Sequence, residues 1–249
     1  MKIIKILIYI ASISFAFGEN LSVEKILLNT FHRLDSVNHQ FSVNIKEMGK
    51  KEKIKNYQIS IRWPENGDIM KETRVKPIQD KKRKPSSIWE HQFNNGQKPK
   101  RWMTMPITGK LKDISDKKST KEFTLADLEF TEKDIAENEH SILPSEKIGD
   151  YSVYIIESVV KGKNGKVKES KKIWIDMSDY LIHKAEFYTK SGRLYRSVEC
   201  TDIQTIADIA FPQKIFVKDL KSKSEIFVQL DNIDINPQFE TGLFIPKDQ

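Results

Sequence analysis

Apolar side chains recur at every second position in widely separated parts of the chain, and this constrains the fold more than any other feature. Phe41, Val43 and Ile45 alternate with Ser42, Asn44 and Lys46, and Tyr57, Ile59, Ile61 and Trp63 alternate with Gln58, Ser60 and Arg62. The same period returns at Ile215 and Val217 and again at Ile226, Val228 and Leu230. A period of two puts one set of side chains on one face of an extended chain, so each segment reads as a half-buried strand. Asn66-Gly67, Asn95-Gly96, Asn164-Gly165 and Ser191-Gly192 each separate two such runs. Pairs of this kind tolerate the positive backbone angles of tight hairpins, so sequential antiparallel pairing follows. The expectation is a mainly β protein (α+β) of roughly ten to eleven strands.

The helical period is confined to two places. From Glu19 to Asn38, Ser22 can cap a helix in which Val23, Ile26, Leu27, Thr30, Phe31 and Leu34 form one apolar stripe. Phe123-Thr124-Leu125-Ala126-Asp127-Leu128 offers a threonine cap with a carboxylate three residues later, the start of a short second helix. An acidic, weakly apolar stretch runs on from there to His140. No internal repeat or long Pro- or Ser-rich linker divides the chain.

Met1 to Gly18 has two lysines, an apolar run from Ile6 to Phe17 and small residues at Ala16 and Gly18. That is the pattern of a cleaved secretory leader, too short for a membrane span of about 20 residues. The expected organisation is therefore a signal peptide over residues 1–18 and one domain over residues 19–249, exported to the periplasm of a two-membrane bacterium.

The chemistry-bearing residues are sparse. A lone cysteine, Cys200, excludes an internal disulfide and a thiolate zinc cluster; on its alternating strand it reads as a small buried hydrophobe. No Gly-x-Ser-x-Gly elbow is present, and the five histidines do not fall at ligand spacing. Gly162-Lys163-Asn164-Gly165-Lys166 lacks the spacing of a phosphate loop, and Asp127, Glu129, Glu132 and Asp134 lack the periodicity of a calcium loop. No catalytic residue, metal or cofactor is expected.

The formal charge is +7, unevenly placed. From Met70 to Lys121 fifteen basic residues face five acidic ones, while from Glu122 to Val160 two face ten. Lys81-Lys82-Arg83-Lys84 is the densest cluster. It reads either as a solvated loop neutralised by the acidic stretch or as a peripheral contact with an anionic membrane or an acidic partner. Basic residues are not interleaved with aromatics, so nucleic acid is not an expected partner.

What remains is apolar surface at strand parity. A long sheet bent around one or two helices has a concave face that is either filled by its own side chains or encloses a ligand. Ile59, Ile61, Trp89, Met103, Met105, Phe187, Ile215, Val217, Ile226 and Val228 are the candidates for that face, and Ile26, Leu27 and Phe31 for a helix lying on it.

Several weak motifs occur in a suggestive order: Ile61 to Pro64, Trp102 to Pro106, Phe123 to Leu128, Ile148 to Tyr154, Lys172 to Asp176, Lys184 to Tyr188 with Ser191-Gly192-Arg193, and Phe211-Pro212-Gln213. Together they resemble the outer-membrane lipoprotein-sorting proteins of the LolA-like family, over nearly the whole chain after Gly18. The resemblance implies an incomplete antiparallel β-barrel closed by an N-terminal helix and a short helical lid. It implies a monomeric carrier, not an enzyme, that holds acyl chains of lipoproteins or lipids between an inner-membrane transporter and an outer-membrane acceptor. In that family a strand arginine helps latch the lid, and Arg62 beside Trp63-Pro64 is the candidate. Two other uses of the same barrel are open: a soluble accessory of a membrane exporter of the RND type, and a regulator that senses lipoproteins.

Overall fold

The alternation builds a single sheet. The chain is described by a computed structural model over residues 21–49, 51–78, 86–116, 132–162 and 164–248. The first meander comprises β1 (His39–Met48), β2 (Lys53–Arg62), β3 (Ile69–Pro77), β4 (Ile88–Phe93), β5 (Lys100–Thr104) and β6 (Leu111–Asp113). The second comprises β7 (Glu139–Ile148), β8 (Tyr151–Lys161), β9 (Val167–Asp176), β10 (Ile182–Thr189), β11 (Leu194–Ile206), β12 (Ile209–Asp219) and β13 (Ser224–Ile235). Within each meander every strand pairs antiparallel with its sequence neighbour, and β1 pairs with β13, from His39 opposite Ile235 to Met48 opposite Glu225. That seam joins the meanders into one 13-stranded sheet with β6 and β7 at its edges. Because β6 and β7 do not pair, the barrel is incomplete.

Thirteen strands exceed the ten or eleven expected, for physical reasons. β11 and β12 turn through Ala207-Asp208, which adopt positive φ of 48° and 63° without a glycine to announce them. β7 carries Pro144 inside a register shift between Leu143 and Glu146, which breaks its alternation and is tolerated because β7 is an edge. β6 is only three residues long. By contrast Gly67, Gly96, Gly165 and Gly192 all sit in hairpin turns at positive φ, as the dipeptides imply.

Among the described residues two short helices lie against the sheet. Helix α1 (Val23–Phe31) starts where expected, with Ser22 Oγ accepting from Lys25 N–H at 3.2 Å. It ends well before Asn38: His32 N–H closes on Leu28 O, and Ser36 turns the chain at φ 62°. Helix α2 (Glu132–Glu137) lies in the acidic stretch before β7, its Ile135 carbonyl accepting from His140 Nε2 at 3.0 Å. The leader at residues 1–18, the Lys81-Lys82-Arg83-Lys84 cluster and the helix expected at Phe123 to Leu128 lie outside the described residues.

The main core sits on the inner face. Ile26 and Leu27 of α1, both 0 % exposed, and Ile135 of α2 cluster with Ile156, Ile173, Ala185, Val198, Val217 and Val228 from β8 to β13 and with Phe41 and Val43 of β1. Arg33 pins the end of α1 to this wall. Its guanidinium donates to the Asp179 carbonyl at 2.9 Å, to the Asp179 carboxylate at 3.1 Å and to the Ala210 carbonyl.

Candidate functional site

Register decides which side chains line the inner wall. Phe41 of the core faces Ile59 on β2, Ile59 faces Val75 on β3, Val75 faces Ile88 on β4, and Ile88 faces Met103 on β5. This is one apolar row across five strands, continuous with the core but half-buried beyond Phe41. Ile61 stands one pleat along from Ile59 on the same face. On the other side of the seam Ile215, Val217, Ile226, Val228 and Phe187 also face inward, but there they pack with α1 in the filled part of the wall. The concave face is thus plugged over β8 to β13, and its apolar row runs on across β2 to β5.

Four candidates are placed differently from expectation. Trp89 pairs with Arg74 and Trp102 in the row that begins at Gln40 and Ser60. These residues alternate with the inner row and therefore face outward. Trp89 is nevertheless only 1 % exposed, because the segment after β13 lies across the outside of the first meander. Trp89 Nε1 donates to Leu243 O at 3.2 Å, and His91 Nε2 donates to Phe244 O at 3.0 Å. Arg62 belongs to the same outer face. It bonds Glu72 at 2.5 Å and lies 4.6 Å over the Phe244 ring, so it latches the C-terminal segment instead of a lid helix. Phe31 is 37 % exposed, edge-on to His32 at the end of α1, and lies outside the buried core cluster that holds Ile26 and Leu27. Met105 lies one residue past β5, in the turn whose Gly109 N–H bonds its carbonyl at 2.8 Å.

The C-terminal segment is a site the sequence reasoning missed. Phe244, 1 % exposed, packs edge-on against Phe239 at 5.0 Å, and Asp248 accepts from Leu111 N–H at 2.7 Å. Only the two aromatics of Pro237-Gln238-Phe239-Glu240-Thr241-Gly242-Leu243-Phe244 signal burial, and nothing local in that stretch says against what.

Three buried titratable groups, Cys200 and His39 on the inner face and Asp176 on the outer, have pKa values shifted by their local surroundings. Burial pushes the Cys200 thiol up to about 12, so it stays protonated and inert. At Asp176 burial raises the carboxyl, but hydrogen bonds from Ser178 and His183 outweigh it and hold the group below the usual carboxylate range. His39 is buried where the seam begins, stacked on Phe41 at 6.0 Å with Nδ1 donating to Val37 O at 2.8 Å. Burial depresses its pKa below 6.5; the charge of Lys71 adds to this and the bond to Val37 opposes it. The unfolded chain takes up a proton near pH 6.5 where the folded one does not, so this contribution to stability is complete above that pH. It is lost on acidification, until the depressed folded value is passed. Unfolding of the wild type followed between pH 7.5 and 5 is expected to show that loss, and His39→Phe to show less of it; identical slopes would show that His39 is not its source.

Among the described residues no three His, Cys, Asp or Glu side chains come together as metal ligands do. No helix among them is long and apolar enough to cross a membrane. A cleft of about 540 Å³ lies away from the apolar row, between the β1–β2 and β12–β13 tips, lined by Met48, Lys218, Leu220 and Lys223 among others.

Three solved structures share this architecture. An outer membrane lipoprotein-sorting protein domain from Vibrio parahaemolyticus superimposes with a TM-score of 0.68 at 16% identity, covering 89% of this chain and 95% of that one. A DUF1329 family protein from Desulfovibrio piger gives 0.69 at 14%, again over 89% and 95%. A LolA superfamily protein from Nitrosomonas europaea gives 0.58 at 18%, over 90% and 97%. No curated protein matches in sequence. One protein family matches residues 65–248, and its description reads "Uncharacterized protein". With that match over most of its length the chain belongs to this uncharacterized family, and it carries the LolA-like incomplete-barrel fold.

Proposed function

We propose that the chain is a periplasmic carrier that holds acyl chains of lipoproteins or lipids and helps sort them to the outer membrane. It acts by binding rather than by catalysis, as a monomer, between an inner-membrane donor and an outer-membrane acceptor. One observation carries this reading. The apolar row Ile59, Val75, Ile88 and Met103 continues the core across β2 to β5 and stays half-buried instead of being sealed. Hiding a 16-carbon chain from water is worth on the order of 12 kcal/mol at about 0.8 kcal/mol per methylene. A wall of branched side chains and a methionine suits such a chain, because it offers dispersion contact without demanding one geometry.

Titration with a fluorescent fatty acid tests it. Saturable binding that palmitate displaces is expected, together with acyl lipids in organic extracts of the protein purified from its own cells. A charge set in the row, Val75→Asp or Ile88→Asp, is expected to weaken binding at least tenfold with an unchanged far-ultraviolet spectrum. No binding, or binding indifferent to both substitutions, ends the proposal.

A further inference from the structure

In a meander alternate turns fall on opposite rims of the sheet, and here the two rims differ in charge. One rim holds the connections β1–β2, β5–β6, β8–β9, β10–β11 and β12–β13. Their described residues include Lys51, Lys110, Lys166, Lys190 and Arg193, with Lys221 and Lys223 on the β12–β13 tip, against Glu52 alone. The opposite rim holds β2–β3, β4–β5, β7–β8, β9–β10 and β11–β12. There the connections hold Glu65, Asp68, Asp150, Asp179 and Asp208 against Lys98, with Asp179 already bonded to Arg33. Among the described residues the connections are therefore basic at one end of the strands and acidic at the other.

Exposed apolar side chains concentrate at the basic rim. Ile107 at the β5–β6 turn is 92 % exposed and Leu220 at the β12–β13 tip 47 %. Met48 and Ile54 flank the β1–β2 tip, Ile78 follows β3 and Val167 begins β9, all exposed. The β1–β2 and β12–β13 tips adjoin, since Met48 pairs with Glu225 across the seam, and the cleft lined by Met48, Asp219, Leu220, Lys223 and Glu225 opens between them, with Asp219 bonded to Arg196 and Glu225 beside Lys218. At the far corner Glu139 already pairs with Lys161, which leaves the adjoining tips as the centre of the patch.

We propose that this rim docks on the surface of an anionic lipid bilayer, with Leu220, Met48 and Ile107 entering the headgroup layer between lysines. Charge complementarity selects the occupant. Lysines near an anionic surface contribute about 1 kcal/mol each, apolar tips add burial that a soluble polyanion cannot supply, and the acidic far rim turns the molecule so that the basic end arrives first. The inference does not depend on a lipid being held on the inner wall.

Co-sedimentation of the purified protein with vesicles tests it. Binding is expected to vesicles of phosphatidylethanolamine with phosphatidylglycerol, to fall with added salt, and to be weak on phosphatidylcholine alone. Lys221→Glu with Lys223→Glu is expected to weaken it at least roughly 25-fold. Leu220→Ser with Ile107→Ser is expected to weaken it about tenfold. Asp150→Lys on the far rim should cause no loss. Equal binding to both vesicle types overturns the proposal, as does indifference to the lysine reversal. So does binding to a short DNA strand with equal strength and no response to the Leu220 and Ile107 changes, which marks a general attraction for polyanions.

Discussion

Replacing Phe244 with alanine is expected to cost about 3–5 kcal/mol of stability, read from urea or thermal unfolding. The ring is 1 % exposed and lies beneath Arg62 and against Phe239. Its removal leaves a void beneath Arg62 and loosens the segment whose carbonyls, at Leu243 and Phe244, satisfy Trp89 and His91. Glu72 and Ser60, buried polar groups on the same outer face, then meet water in a partly opened site. Trp89 fluorescence should shift to the red at the same time. Ile245→Ala, one residue on and 62 % exposed, is the control and should stay within about 0.5 kcal/mol. Equal effects at both positions would show that the segment does not seal this face.

The second large effect is expected at Leu27. Leu27→Ala should cost about 2–5 kcal/mol, because the side chain is fully buried between α1 and the inner wall. The helix has nine residues and is too short to hold itself together in isolation. Its order therefore comes from this contact and from the Arg33 bonds to Asp179 and Ala210. Phe31→Ala, on the same helix, is expected to change stability by less than about 1 kcal/mol. Chemical denaturation of the two variants side by side decides the point: a larger cost at Phe31 would put the apolar stripe on the wrong face of α1.

Much of the sheet can be read from the chain because strand parity and hairpin chemistry are local. Phe41, Val43, Val217 and Val228 fall on the inner face as their alternation requires, and the four Xaa-Gly pairs turn where they stand. The fold's less legible parts depend on distance. At β4 alternation separates Trp89 from Ile88 but cannot say which of them faces inward, because that is settled by pairing with β3 across a register shift between Ile69 and Lys71. Trp89 is buried only because residues more than 150 positions away cover it. Arg62 carries the same lesson: its place beside Trp63-Pro64 is visible in the chain, its partner Phe244 is not. For the wall itself, the row from Ile59 to Met103 is legible in part, since Val75 and Ile88 are ordinary strand residues until pairing aligns them.

The seam between β1 and β13 also has a consequence for assembly. His39 finds Ile235 only after almost two hundred intervening residues have been made, and closing so distant a contact is slow and entropically expensive. Hairpins within either meander can form early, but the first meander has no partner along β1 until the last strand arrives. Nascent chains therefore carry an apolar strand with one open edge for most of their synthesis, an edge that invites aggregation. A holding chaperone that masks residues around Phe41 to Ile45 until Ile235 emerges would protect the yield of this protein more than any catalyst of turn formation.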